Sequence, residues 1–139
     1  MVVSAEANAT RAGVRMLEIG GNAIDAAVAT AYALAVTHPS AGNLGGGGFM
    51  VIARKGEPIV AVDFRERAPR ATDAESFTAM IAAGARGPSS SAVPGSVAGL
   101  DLAEESFGRL GRARVMAPAI ELARDGFDLP PRQAQVLAR

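Results

Sequence analysis

One arginine and one histidine carry most of the chemistry this sequence offers. Arg65 stands just past an apolar strand pattern, in Asp63-Phe64-Arg65-Glu66. A guanidinium at a strand end can meet a carboxylate through two parallel hydrogen bonds, a geometry lysine cannot supply. The same residues can also form an internal ion pair, Arg65 with Asp63 or Glu66. On local sequence alone the ion pair is favoured, because structural pairs are the commoner cause of such clusters. Arg67 and Arg70 read as solvated charges. His38 is the only histidine. A triad needs a nucleophile that the imidazole activates, and Ser40, two residues away, is too local to serve. Beside Pro39, His38 reads as a cap or turn residue. Thr10, Thr37, Ser40, Ser96 and the run Ser89-Ser90-Ser91 have no base partner in sight. The chain has no cysteine, so a metal site would need carboxylates, and these are scattered rather than clustered. Residue types and spacing thus assign no catalytic residue, no metal and no cofactor, and leave one candidate anion-binding arginine.

The other conspicuous feature is a run of four glycines, Gly45 to Gly48, inside Thr37-His38-Pro39-Ser40-Ala41-Gly42-Asn43-Leu44-Gly45-Gly46-Gly47-Gly48-Phe49-Met50. A phosphate loop needs a lysine after its last glycine, and here Phe49 follows. A dinucleotide fingerprint runs strand, glycines, helix; here the order is helix, glycines, strand. What remains is close packing of a loop and strand against another layer.

The elements that must position these residues follow from periodicity. Met1 to Ser4 reads as a short strand. Ala9, Ala12, Gly13, Met16 and Leu17 share one face of a helix over about residues 7–19, which Gly20-Gly21 stops as a left-handed cap. Asn22 caps the next helix, with Asp25 near its positive end. Residues 23–36 are apolar on most sides, the mark of a helix buried between layers. Residues 49–53 and 59–64 form a hairpin around Lys55-Gly56-Glu57-Pro58, and the first strand's continuous apolar run predicts burial on both faces. A helix over 74–83 should turn Phe77, Met80 and Ile81 inward. Residues 84–92 read as a Gly/Ser loop. Helices over 97–107 and 115–124 follow, with Pro118 near the first turn of the second, and Pro130-Pro131 opens one more.

Length fits one domain. Composition is 49% hydrophobic and 20% charged with zero net charge, which is globular and offers neither a nucleic-acid surface nor a polybasic membrane anchor. The longest apolar segment, residues 26–36, is too short to span a bilayer, and no signal-peptide pattern is present. A lone hairpin is marginally stable, and the last helix has no stop signal. The expectation is therefore an incomplete α+β domain over residues 1–139, its sheet completed by further chain.

Several motifs together resemble the start of the γ-glutamyltranspeptidase large subunit. They are Ala9-Thr10, Gly20-Gly21-Asn22-Ala23-Ile24-Asp25-Ala26-Ala27-Val28-Ala29, Thr37-His38-Pro39 and Gly42-Asn43-Leu44-Gly45-Gly46-Gly47-Gly48-Phe49-Met50. Asp63-Phe64-Arg65-Glu66-Arg67-Ala68-Pro69, Val93-Pro94-Gly95-Ser96-Val97-Ala98-Gly99 and Leu122-Ala123-Arg124-Asp125-Gly126-Phe127 continue the match in order. The resemblance implies a four-layer αββα sandwich of the N-terminal-nucleophile hydrolases. It implies a precursor that cleaves itself into two subunits, and a small-subunit threonine that attacks the γ-glutamyl amide of glutathione or a related donor. The acyl group then passes to water or to an amino acid or peptide. A periplasmic or extracellular location is implied as well. By the same resemblance Arg65 matches the arginine that binds the donor's carboxylate, and the resemblance tips the reading from ion pair to substrate contact. Asp63 or Glu66 would then orient the guanidinium. The nucleophile matches no residue of this chain. Its expected partners are the donor, the rest of the large subunit and the small subunit. A related amidohydrolase or acylase, or a catalytically inert truncated paralogue, are the alternatives.

Overall fold

A computed structural model describes residues 1–84 and 90–138. The element order is α1 (Ala7–Glu18), α2 (Ala23–Thr37), β1 (Phe49–Ile52), β2 (Val60–Asp63), α3 (Ala74–Ala82), α4 (Ser96–Phe107), α5 (Arg112–Asp125) and α6 (Pro131–Leu137). The expected Gly/Ser loop lies in part, at residues 85–89, outside the described residues. The chain is a mixed α+β structure of two compact units, Met1–Leu44 with Leu100–Arg139, and Gly45–Gly99.

The first unit is helical, and α2 is its centre. Helix α1 packs on α2, and α2 packs on α5. Ile24, Ala26, Val28, Ala29, Tyr32 and Ala33 of α2 are buried, joined by Ala9, Ala12 and Met16 of α1, Leu100 and Ala103, and Val115 and Ala119 of α5. Small side chains permit this density. A methyl on Gly13 would collide with the Thr30 hydroxyl and the Ala26 carbonyl, so α1 and α2 touch backbone to backbone there. Buried Thr30 and Thr37 return their hydroxyl protons to the carbonyls of Ala26 and Ala33, which lets polar residues sit in an apolar helix.

The caps follow the sequence closely. Gly20 has φ +91°. Its amide and that of Gly21 donate to Leu17 and Met16, the paired bonds of a Schellman stop. Asn22 and Asp25 form a reciprocal capping box at the start of α2. His38 occupies the C-cap of α2, as expected ahead of Pro39. Helix α5 starts earlier than expected, after Gly111 (φ +81°), so Pro118 lies inside the helix and not in its first turn.

In the second unit β1 and β2 pair antiparallel, from Phe49 opposite Asp63 to Ile52 opposite Val60. The expected burial on both faces does not occur. Ile52 and Val62 are buried on one face, whereas Phe49 and Val51 on the other are 64% and 71% exposed. Helix α3 forms where expected but buries no residue, and Phe77 and Ile81 are exposed. Met1 to Ser4 is not a strand; no described strand pairs with it, and Ser4 instead shares a hydroxyl hydrogen bond with Thr10.

Candidate functional site

Arg65 is placed by two backbone pairings of its neighbours and by one side-chain hydrogen bond to its own amide. The hairpin ladder continues past β2, because Gly48 and Phe64 exchange both amide bonds, at 3.3 and 3.0 Å. Three residues further, Arg67 and Val93 exchange theirs in an isolated antiparallel bridge. Between these two fastenings the Arg65 amide donates to Asp63 Oδ1 at 3.0 Å. The segment around Arg65 is therefore tied at both ends and in the middle.

Glycines make the fit possible. A Cβ on Gly47 would meet the Phe64 carbonyl and the backbone of Arg65 and Glu66. One on Gly95 would strike the Phe64 carbonyl, and one on Gly99 would strike the Phe64 side chain. Gly48 faces the same ring. The Gly46 carbonyl accepts the amides of Gly95 and Ser96, both at 2.9 Å, at the start of α4. Two glycine motifs far apart in sequence thus enclose one phenylalanine, and the next residue is Arg65.

From this frame the Arg65 side chain extends outward, 64% exposed. Its Nε lies 3.3 Å from Glu66 Oε2, and the guanidinium carbon lies 5.7 Å from the centre of the Phe49 ring, a cation–π distance. The internal ion pair considered from sequence is present, and it is made with Glu66. Asp63 holds the Arg65 amide rather than its charge. Glu66 approaches the guanidinium at Nε, and the Phe49 ring lies beside it. A planar cation so held suits a ligand carboxylate.

Several of the other candidates have partners of their own. Arg67 contributes its backbone to the bridge with Val93. His38 belongs to the helical unit, where its Nδ1 lies 2.9 Å from Gln133 Nε2. It shares a cleft with Glu6, Ser40 and Pro130. Thr10 and Thr37 bond to the carbonyls of Glu6 and Ala33. Among the described residues, no three histidine or acidic side chains stand close enough to hold a metal ion, and no helix is long and apolar enough to cross a membrane. Sequence reasoning missed the part of Gly95 and Gly99. Their four-residue spacing puts both on one face at the start of α4, and that spacing was the available signal.

The fold of the chain recurs in solved structures. The chain superposes on the γ-glutamyltranspeptidase of Helicobacter pylori with a TM-score of 0.87 and 41% identity, covering 99% of this chain and 41% of that one. It superposes on a cephalosporin acylase from Bacillus halodurans with a TM-score of 0.81 and 33% identity, over 91% of this chain and 24% of that one. The fold is thus that of part of an N-terminal-nucleophile hydrolase of this group. The sequence profile of Gamma-glutamyltranspeptidase matches residues 9–139, and the chain belongs to that family. It is 49% identical over 140 residues to the glutathione hydrolase proenzyme of Escherichia coli (strain K12), covering 91% of this chain and 23% of the relative. It is 37% identical over 132 residues to glutathione hydrolase 3 of Arabidopsis thaliana, covering 94% of this chain and 21% of the relative. The chain therefore spans under a quarter of these curated relatives.

Proposed function

We propose that this chain is the N-terminal part of the large subunit of a γ-glutamyltransferase or glutathione hydrolase, and that Arg65 binds a carboxylate of the γ-glutamyl donor. In this reading residues 1–139 are an incomplete domain of a four-layer αββα sandwich. Acyl transfer belongs to the rest of the protein, where an N-terminal threonine of a small subunit attacks the γ-glutamyl amide and its own α-amino group takes the proton. The acyl group then passes to water or to an amino acid or peptide. The contribution of this segment is positional: it holds one end of the donor so that the scissile amide is presented in a fixed place.

The observation that carries the reading is the contrast at Arg65. Its amide is held by Asp63 and its neighbours Phe64 and Arg67 are fastened to Gly48 and Val93, yet its guanidinium is solvent-exposed beside Glu66 and Phe49. A binding group gains precision from a rigid support. In the complete protein, Arg65→Ala should lower kcat/KM for γ-glutamyl donors by roughly 100-fold, about 3 kcal/mol for a lost charge-assisted pair. Arg65→Lys should restore little, because an ammonium has no fork. Unchanged donor kinetics in Arg65→Ala would sink the proposal.

The likeness to a cephalosporin acylase supports a second reading, in which the same frame serves a different amide. Hydrolysis of a non-γ-glutamyl amide by the complete protein, with no turnover of γ-glutamyl donors, would favour it.

A further inference from the structure

The turn between α4 and α5 hangs on two buried carboxyl groups. Asp25, on α2, is fully buried. Its Oδ1 accepts the amides of Arg109 at 3.0 Å and Leu110 at 2.7 Å, and its Oδ2 accepts that of Asn22 at 2.6 Å. Glu104, on α4, is 3% exposed. Its Oε1 accepts the Gly111 amide at 2.8 Å. Its Oε2 is buried with no donor among the described residues. The turn lies directly on this group, since a methyl at Gly108 would overlap the Glu104 carboxyl. Asp25 and Glu104 accept consecutive amides of this turn, those of Leu110 and Gly111, which brings the two carboxyl groups to the same place.

Two ionised carboxylates do not share such a place without cost. Asp25 is built to be negative, with three amide donors at a helix N-terminus. Glu104 has one donor, and its second oxygen, if ionised, is a buried acceptor beside another negative charge. A proton on Glu104 resolves both faults. It removes one charge, and it turns the orphan oxygen into a donor toward Asp25.

We propose that Glu104 and Asp25 share one proton, and that this proton forms a pH-sensitive clasp holding residues 108–111 to the start of α2. Nearby cations do not replace it. Arg112, on α5, is 3.1 Å from Asp101, and Asp101 also accepts the Tyr32 hydroxyl at 2.9 Å. Arg109 offers the pair its amide and is itself exposed, as is Glu105 on α4. From the end of α1, Gly21 and Met16 bring no charge to Asp25.

Burial is the largest influence on Glu104 and pushes its carboxyl up; the Asp25 charge adds to the rise, and the Gly111 amide opposes it. For Asp25 burial also pushes up, but the Asn22, Arg109 and Leu110 amides together outweigh it and hold the group below the usual carboxylate range. The stabilisation from Glu104 is thus complete below its unfolded pKa and is lost as pH rises through its elevated folded value. That from Asp25 is present above its unfolded pKa and is lost as pH falls through its depressed one.

The test uses the complete protein. Infrared difference spectra of the wild type against Glu104→Gln, titrated from about pH 3 to about pH 8, should show a protonated-carboxyl stretch at the acidic end that fades with rising pH. Hydrogen exchange over residues 104–112, corrected for intrinsic rates, should lose at least about tenfold protection across that range in the wild type. It should stay level in Glu104→Gln, whose amide donates to Asp25 and accepts from Gly111 without titrating. Asp25→Asn is an independent arm, and should move the stretch's midpoint to lower pH. No stretch at the acidic end, parallel exchange profiles, or an unmoved midpoint in Asp25→Asn would overturn the proposal.

Discussion

Asn22 does three jobs with one side chain. Its Oδ1 accepts the amides of Ile24 at 2.7 Å and Asp25 at 3.2 Å, and its Nδ2 donates to the Phe107 carbonyl at 2.7 Å. Asn22→Ala removes the cap and also the bond to the Phe107 carbonyl at the end of α4. The expected loss is about 2 kcal/mol, the upper end for a capping residue, read as a lowered denaturation midpoint in the complete protein. The first job was legible, because asparagine three residues ahead of an aspartate marks a helix start. The second was not, since Phe107 is 85 positions away. Glu6 makes the complementary case. Its carboxylate caps α1 by accepting the Ala9 amide at 3.0 Å, and it is 5% exposed. Glutamate is not a favoured cap type, so nothing in the local sequence marked it. Arg65 lies between these cases. Its neighbours announced an ion pair, but only the fold separates Glu66, which holds the charge, from Asp63, which holds the amide.

At the scale of elements, the glycine frame is the part through which packing would reach the role proposed for Arg65. The glycine run was expected to let a loop and strands pack closely, and Gly47 and Gly48 do stand against Phe64 and the backbone beyond it. Gly99 gives the sharpest test. Its added methyl would fall on the Phe64 ring, and overpacking of this kind costs about 1–3 kcal/mol. Because Phe64 precedes Arg65, Gly99→Ala should raise KM for γ-glutamyl donors in the complete protein more than it lowers kcat. Adding Phe64→Leu, which returns the space, should recover part of the loss. Gly45→Ala is the control: its methyl would meet nothing within 4 Å, so stability should stay within about 0.5 kcal/mol of wild type. Equal kinetics for all three proteins would show that the frame does not position Arg65. Where element readings failed, they failed on burial and not on location. Periodicity shows which face is apolar; it does not show that anything covers that face. This is why β1 and α3 were placed correctly yet expected to be more buried than they are.

At the scale of the whole chain, its two units differ in how much they bury. The helical unit encloses side chains from α1, α2, α4 and α5. In the unit of residues 45–99 the hairpin buries Ile52 and Val62, while Phe49, Val51 and Ile59 are 64%, 71% and 71% exposed. A two-stranded sheet with one apolar face uncovered is marginal in water, and such a face is a site of association. Since the chain spans 23% of its Escherichia coli relative, our proposal places further layers of the sandwich against the hairpin. Hydrogen exchange separates the two situations. In residues 1–139 expressed alone, amides of α2 should be protected and those of β1 and β2 should exchange close to the unprotected rate. In the complete protein the strand amides should gain at least about 100-fold, because opening them would then expose a packed layer. Residues 1–139 should also associate or bind a hydrophobic dye. A cooperative melt of the isolated chain as a monomer, with its hairpin amides already protected, would mean that this sheet needs no further layers. The incomplete-domain reading would then be wrong even with the family assignment intact.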